Sequence, residues 1–374
     1  MDDSTEPQYR RSRGENLNFF TRMSMARWSA KAASYLDFRI GQIREALLAV
    51  RAPLLARRPG VRHTPLRMAG VEGLCNPSIL RWQEKWLVAA RRPNYRMTAQ
   101  GAYVVPGGID NLASETWLVE CDDSLNPVAA VLLDDHVARS TVPEARNGLE
   151  DPRLFIDQGR LFGLWSALQL APQAAVPDQE GAVMPDWTGT RNTMCIAEIR
   201  DTDVGPLQLL PSPHGALREK NWMPVLDAEQ PTFLYRLEDM QVYAFDGERL
   251  AKRYRRSTRI PALANWSGSS QIIAWGGNWL CVAHLAARKL TASLPKMEPL
   301  YPHRFVVLDP DWNVVGMSEP FFFEKRGIEF CAGLAEHDGR VVMSYGLGDK
   351  ASALVSMEKS AVLAMIKPVP HAAQ

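Results

Sequence analysis

Beyond residue 70 the chain consists of short apolar runs joined by tight turns, without a long helical period. ArgLeuPheIle at 153–156 and LeuPheGlyLeuTrp at 161–165, separated by AspGlnGlyArg, form one such hairpin pattern. Further hairpin turns are predicted at GlnGluLys 83–85, LeuGluAsp 237–239, GlyGlyAsn 276–278 and AspGly 338–339. The pattern predicts an all-β fold for this part of the chain.

Five of the hairpins begin with a polar cluster directly before their first strand. One residue from each cluster serves as a marker, and these residues are Asn76, Asp151, Lys220, Ser267 and Glu329. The steps between them are 75, 69, 47 and 62 residues. A propeller blade of four strands needs roughly 40–50 residues, so the longer steps would hold loop insertions. The repeat predicts a five-bladed β-propeller, in which the polar clusters meet at one end of the central channel.

The first 60 residues have a different pattern. Residues 16–50 lack proline and place Leu36, Ile40, Ile43, Leu47 and Val50 three or four positions apart, which is the period of an amphipathic helix. We therefore divide the chain into a basic helical extension, residues 1–60, and a propeller domain, residues 61–374.

Residues 1–60 hold 11 Lys and Arg against 6 Asp and Glu. Two interpretations of the extension remain open. The helix packs against the propeller, or it rests on an anionic membrane surface or docks a partner protein.

The cysteines and histidines argue against a metal site or a disulfide framework. The chain has five cysteines without a CxxC pair, and its seven histidines are scattered. Buried free thiols in a reducing compartment are expected, and we predict no metal and no cofactor.

Composition also excludes several classes of partner. No stretch approaches the roughly 20 apolar residues of a membrane span, and the polar N-terminus is unlike a secretory signal. A cytoplasmic location is predicted, with peripheral contact at the inner face of the membrane left open. The propeller region is slightly acidic and has no P-loop or GxGxxG, so no nucleic-acid partner is expected.

Four segments resemble a known family. GLEDPRLF at 148–155, AsnProSer at 76–78 and SerTyrGlyLeuGlyAsp at 344–349 resemble the five-bladed propellers of glycoside hydrolase family 130. These enzymes are β-mannoside phosphorylases and hydrolases, with related mannosyltransferases in glycosyltransferase family 108. GluLysAsnTrpMetPro at 219–224 resembles the KNW motif of β-1,2-mannosyltransferase-like proteins. The resemblance covers about residues 70–360.

The resemblance implies that Asp151 is the general acid, acting on the glycosidic oxygen through a sugar hydroxyl. A departing sugar alkoxide must be protonated, so the carboxyl group must hold a proton near neutral pH. Neighbouring Glu150 would help, because two nearby carboxylates resist ionising together. Arg153 lies on the same side of the strand and can bind a phosphate or sugar hydroxyls. The alternatives are a turn-capping Asp151 and a salt-bridged Arg153.

Further residues are predicted to bind substrate. They are Asn76, Lys220, Asn221, Trp222, Gln271, His284, His303, Arg304, Glu329, Tyr345 and Asp349. Trp222 offers a flat face for a pyranose or belongs to the core. The family resemblance suggests phosphate or leaving-group contacts for His284, His303 and Arg304, and sugar binding at the cleavage site for Asp349.

Three functional hypotheses follow. The first is a glycosyltransferase that forms β-linked mannosyl units from a nucleotide sugar or sugar 1-phosphate donor on a glycan acceptor. The second is a β-mannoside phosphorylase or hydrolase, and an inverting hydrolase needs a second carboxylate about 6.5–9.5 Å from the acid. Asp239, Glu329 and Asp349 are candidates for that role. The third is a non-catalytic carbohydrate-binding propeller.

Overall fold

The structure is a computed structural model that describes residues 45, 47–98, 102–171, 182–183, 189–288 and 299–369. Most of the predicted extension helix lies outside these residues. Its end is described, and residues 47–51 are helical. None of the described helices is both long and apolar enough to cross a membrane.

Five antiparallel sheets form the five blades of a propeller, which confirms the predicted fold. From the channel outward, the strands of blade 1 are Cys75–Trp82, Lys85–Pro93, Ser114–Cys121 and Pro127–Leu132. Those of blade 2 are Leu149–Asp157, Arg160–Gln169, Arg191–Arg200 and the short segments Asp203–Val204 and Gln208–Leu210. Those of blade 3 are Met223–Pro224, Thr232–Arg236, Gln241–Phe245 and Leu250–Tyr254.

The last two blades join the ends of the propeller domain. Blade 4 contains Trp266–Gly268, Ile273–Trp275, Asn278–Leu285, His303–Leu308, Val314–Ser318 and Ile366–Pro368. Blade 5 contains Glu329–His337, Arg340–Leu347, Ala351–Glu358 and Arg62–Pro65. The first strand of the domain therefore completes the last blade, with Arg62 opposite Ser356.

Short elements decorate the loops. Besides the helical residues 47–51, the described α-helices are His136–Ser140 and Lys359–Met365. The described 3-10 helices are Leu55–Arg57, Ile109–Asn111, Pro143–Ala145 and Pro261–Leu263. One small sheet contains Arg96–Met97, Tyr103–Val104 and Ala182–Val183. A second small sheet contains Ala287–Arg288 and Pro299–Leu300.

Local turn chemistry explains why the inner hairpins form. Four predicted turns lie between the first two strands of a blade, and both central residues have positive φ in each of them. These pairs are Gln83–Glu84, Gln158–Gly159, Gly276–Gly277 and Asp338–Gly339. Two successive residues with positive φ define a type I′ turn, whose twist matches that of the flanking strands. The turn at 237–239 also forms, but it joins the second and third strands of blade 3.

The blades bury apolar side chains between them, because inner and middle strands are covered on both faces. The inner strand of blade 1 has six consecutive buried residues, Cys75–Leu80, and the second strand of blade 2 has eight, 161–168. All five cysteines are free and buried.

Gln271 connects four blades across the channel. The inner strand of blade 4 is interrupted at 269–272, which directs this fully buried side chain toward the other inner strands. Its amide nitrogen and oxygen contact Ser78 Oγ at 2.8 Å, Ile79 O at 3.1 Å, Leu154 O at 3.0 Å and Leu334 N at 2.9 Å. These contacts engage both the nitrogen and the oxygen of the buried amide, so the prediction that Gln271 binds substrate is wrong.

Gln271→Leu is expected to lower the free energy of unfolding by about 3 kcal/mol, because it leaves the buried Leu334 N–H and two carbonyls without their partner. Urea unfolding measures this change. Gln208→Leu, at an exposed position of blade 2, is the matched control and should change stability by less than about 0.5 kcal/mol. Equal effects of the two substitutions would contradict the structural role of Gln271.

Candidate active site

The entries of three inner strands are bent toward the channel mouth. Asn76, Asp151 and Asn221 adopt left-handed backbone conformations with φ of 49°, 52° and 64°. Bulges follow in blades 1 and 2, between Cys75 and Ser78 and between Glu150 and Arg153. Such strain and bulges re-aim side chains at sites of function. Asn and Asp tolerate this conformation better than most residues, which explains their presence here.

Asp151 lies where the entries of blades 1 and 2 meet. Its Oδ1 accepts a hydrogen bond from Asn76 Nδ2 at 2.8 Å and one from Arg91 Nη1 at 3.4 Å. Its side chain is 16% exposed, and Oδ2 accepts no hydrogen bond from a described residue. One oxygen is therefore held by the protein, and the other is open to a ligand.

Asp349 from blade 5 joins the same group. Asn76 Nδ2 also donates to Asp349 Oδ1, at 3.3 Å. Burial raises the pKa of Asp349, while nearby Arg91 opposes the rise. The late aspartate predicted from the sequence thus shares one amide with Asp151.

Glu150 has a different environment from its neighbour. Arg91 Nη2 contacts Glu150 Oε1 at 2.5 Å, and Lys220 Nζ contacts Oε2 at 2.8 Å. Asn192 Nδ2 also donates to Oε2, at 3.3 Å. Burial alone would raise the pKa of Glu150, but Arg91 and then Lys220 lower it to about 2. The two cations offset its charge, so the expected help of Glu150 in keeping Asp151 protonated does not follow.

The stability of the protein should depend on the ionisation of Glu150. The folded pKa is below the ordinary value, so the stabilisation is present above pH about 4.5 and is lost as the pH falls toward about 2. Urea unfolding at a series of pH values should show this slope in the wild type and a shallower one in Glu150→Gln. An unchanged slope would contradict the ion pairs described here.

Arg153 is fixed by contacts from three blades. Its Nε donates to Ser269 O at 2.8 Å, and its Nη2 contacts Asn221 Oδ1 at 3.4 Å. Its Nη1 contacts the backbone oxygen of Asp151 at 3.3 Å. Burial lowers the pKa of Arg153 to about 10, so the side chain stays a cation at neutral pH. Among the described residues it forms no salt bridge with a carboxylate, but the side chain is only 1% exposed, and the charge of Asp151 opposes the lowering of its pKa.

Part of this site was not predicted from the sequence. Arg91, at the end of an apolar strand, connects Glu150 and Asp151, and its Nη2 also donates to Tyr95 Oη at 3.0 Å. The rings of Tyr95 and Tyr103 lie 4.6 Å apart and provide an aromatic surface beside Arg91. A buried cation at the end of the run LysTrpLeuValAlaAlaArg, 85–91, was the available signal.

Trp222 does not lie at the channel mouth. It is fully buried, its Nε1 donates to Glu219 at 3.0 Å, and its ring contacts Phe233 and Tyr235. The core interpretation of Trp222 is therefore correct, and sugar stacking on its face is excluded by its burial.

The predicted residues of blade 4 are also largely buried. Burial, followed by the charge of Arg153, lowers the pKa of His284 to about 4, and burial holds the pKa of His303 well below its ordinary value. His303 Nε2 accepts from Cys331 N at 3.2 Å. Arg304 donates to Ala262 O at 2.9 Å. The two histidines are neutral near pH 7, so they cannot supply positive charge to a phosphate.

Glu329 and Tyr345 support the loop before blade 5. Glu329 is fully buried and accepts hydrogen bonds from the backbone N–H groups of residues 323–325. Tyr345 Oη donates to Glu324 at 3.0 Å and contacts His63 Nδ1 at 3.0 Å. These contacts occupy the polar groups of both residues, in place of the predicted substrate contacts. No cluster of three or more His, Cys, Asp or Glu suited to a metal ion occurs within the described ranges.

No protein-family model matches the chain, and no curated protein matches its sequence. Solved structures do match its fold. One comes from work on the GH130 family of mannoside phosphorylases, which contains glycoside hydrolases that target β-1,2 mannosidic linkages in Candida mannan. It is 10% identical to this chain with a TM-score of 0.53, and the match covers 83% of this chain and 97% of its own. The β-1,2-mannobiose phosphorylase from Listeria innocua is 13% identical with a TM-score of 0.51, covering 83% and 94%.

A glycosyl hydrolase from Bacteroides ovatus is 11% identical with a TM-score of 0.52, covering 80% of this chain and 87% of its own. At such low identities the similarity establishes the fold alone. The chain therefore has the five-bladed propeller fold of the glycoside hydrolase family 130 enzymes that its sequence resembles.

Proposed function

We propose that the protein is a carbohydrate-active enzyme that cleaves β-mannosides by phosphorolysis, with Asp151 as the general acid. The observation that carries this proposal is the geometry of Asp151. Asn76 and Arg91 hold one carboxyl oxygen at the channel mouth, and the other is open. A positioned carboxyl group with an accessible oxygen can protonate a departing sugar oxygen.

The structural similarities favour this class of reaction over the transferase predicted first. The matched proteins are mannoside phosphorylases and glycoside hydrolases. We therefore do not propose a nucleotide-sugar donor.

An accessible cation beside Asp151 favours phosphate over water as the nucleophile. Lys220 contacts Glu150, and its side chain is 33% exposed, whereas Arg91 and Arg153 are buried and hydrogen-bonded within the protein. Arg and Lys side chains are the usual ligands of a phosphate.

The neighbouring carboxyl groups are poorly suited to activate water. Glu150 is bound by two cations and is a weak base with a pKa of about 2. Asp349 is half-buried, and it shares the Asn76 amide with Asp151, so it is held beside the acid and not across the sugar ring from it. A phosphorylase takes its nucleophile from the substrate and needs no second carboxylate, whereas an inverting hydrolase does.

In the proposed reaction a phosphate oxygen forms a bond to C1 of the mannosyl unit as the C1–O glycosidic bond breaks. Asp151 supplies the proton that the leaving oxygen takes up, relayed through a sugar hydroxyl. The products are a sugar 1-phosphate of inverted anomeric configuration and a glycan shorter by one unit. Asp151 then regains a proton from the incoming phosphate or from solvent.

The test is a panel of β-mannosides that differ in linkage, each incubated with the full chain with and without phosphate. We expect at least one substrate to be depleted only when phosphate is present. Cleavage at the same rate in both conditions would identify a hydrolase. Binding without cleavage in either condition would identify a carbohydrate-binding propeller and refute the enzyme.

A further inference from the structure

The outer edge of blade 3 carries a dense group of basic residues. Residues 249–259, which include the strand Leu250–Tyr254, contain six Arg and Lys and no Asp or Glu. Arg255 contacts Asp239 at 3.4 Å, and Arg259 contacts Glu238 at 3.3 Å. Lys252 and Arg253 are exposed and form no ion pair with any residue in the described part of the chain. The edge is therefore positively charged after its carboxylate neighbours are counted.

An exposed apolar turn lies against the loop that leads from this edge to blade 4. In the helical residues 47–51, Leu47, Leu48 and Val50 are 50%, 36% and 48% exposed. The opposite side of the turn is anchored, because Ala49 is buried in one core cluster with Ile260 and Leu263, which directly follow the basic segment.

Polar contacts hold the same turn against two loops of the propeller. Asn265 Nδ2 donates to Glu45 Oε1 at 2.6 Å, and Arg326 donates to Val50 O at 3.1 Å. Arg51 and Lys325 are exposed next to these contacts and add further positive charge.

These two loops lie at the end of the propeller that carries Asp151. Residues 255–265 lead into the inner strand of blade 4, and residues 319–328 lead into that of blade 5. The entries of the inner strands meet at the channel mouth, as the contacts of Asn76 and Arg153 show. The end of the basic segment, residues 254–259, and the apolar turn therefore border the same end as the candidate active site.

We propose that residues 249–259 together with the turn 47–51 form a membrane-docking surface for anionic phospholipid. Basic side chains are attracted by the negative surface potential of a bilayer, and adjacent exposed leucine and valine side chains can enter its interfacial region. A nucleic acid would use the charge but not the apolar side chains. Docking would bring the channel mouth close to glycans that are attached to or near the bilayer. The proposal does not depend on the reaction at Asp151.

The experiment is sedimentation of the full chain with vesicles of phosphatidylcholine alone, or with about 30% phosphatidylglycerol. Binding is expected only with the anionic lipid, and it should weaken as salt shortens the range of electrostatic attraction. Lys252→Glu/Arg253→Glu should reduce the apparent affinity by about tenfold or more. Arg62→Glu/Lys85→Glu changes the net charge equally at exposed positions at the opposite end of the propeller, and it should change the affinity by less than about twofold.

Leu47→Ser/Val50→Ser tests the apolar part without altering the charge, and it should weaken the binding that remains at higher salt. Circular dichroism and thermal unfolding verify that each variant is folded. The proposal is wrong if the wild type does not bind anionic vesicles, or if both charge-reversal pairs reduce binding equally. It is also wrong if a DNA duplex is bound and the vesicles are not.

Discussion

Replacing Asp151 with Asn should lower the turnover of a cleaved β-mannoside by about 10²–10⁴-fold, which is the usual contribution of a general acid. The substitution removes the carboxyl proton that the acid would donate and keeps the size and shape of the side chain. Asn can adopt the left-handed conformation of Asp151, whose φ is 52°, and its amide oxygen can still accept from Asn76 and Arg91. Steady-state kinetics should therefore show a lower kcat with a thermal unfolding temperature close to that of the wild type.

Asp157→Asn is the matched control, because Asp157 lies on the same strand at the opposite end of the channel. Its kcat should stay within about twofold of the wild type, since it touches no reacting group. If Asp151→Asn retained wild-type kcat, Asp151 would not be the acid. If it lost kcat only through unfolding, the side chain would have a structural role instead.

Replacing Arg91 with Met should destabilise the protein by about 3 kcal/mol, because it removes the shortest ionic partner of a buried carboxylate. Lys220 still contacts Glu150 in this variant. The loss of stability should therefore lie near the lower end of the range for breaking a buried ion pair. Arg91 also holds Asp151, so activity should fall together with stability. Urea unfolding measures the stability change.

The neighbouring residue provides a control for this prediction. Arg92 pairs with Glu115 at 2.6 Å, but both side chains are partly exposed, and Arg92→Met should cost less than about 1 kcal/mol. A double-mutant cycle of Arg91→Met with Glu150→Gln isolates the coupling between the pair, which should exceed about 1 kcal/mol. Additive effects would show that the pair does not stabilise the fold.

The parts of this structure that depend on local chemistry could be predicted from the sequence. Turn residues such as Asp338 and Gly339 favour positive φ wherever they occur between two strands, so four inner hairpins were located correctly. The polar clusters at the starts of the inner strands of blades 1 and 2 were also located correctly, and they bring Asn76 and Asp151 together.

Residues whose partners are far away in the chain could not be assigned in this way. Gln271 looked like a ligand-binding amide, but its partners are in blades 1, 2 and 5, between 63 and 193 positions away. Trp222 follows Lys220 and Asn221, which both contribute to the site, yet its own side chain is buried in the core. Arg91 was overlooked because its partners Glu150 and Asp151 are about 60 positions away.

Phosphate-dependent cleavage at Asp151 can be tested by product analysis with ³¹P and ¹H nuclear magnetic resonance. The full chain is incubated with the β-mannoside that it depletes fastest and with inorganic phosphate. We expect a new sugar 1-phosphate signal of inverted anomeric configuration that grows in step with the shortened glycan and is absent in Asp151→Asn. Free mannose as the product, formed equally without phosphate, would show hydrolysis and rule out the proposed phosphorolysis.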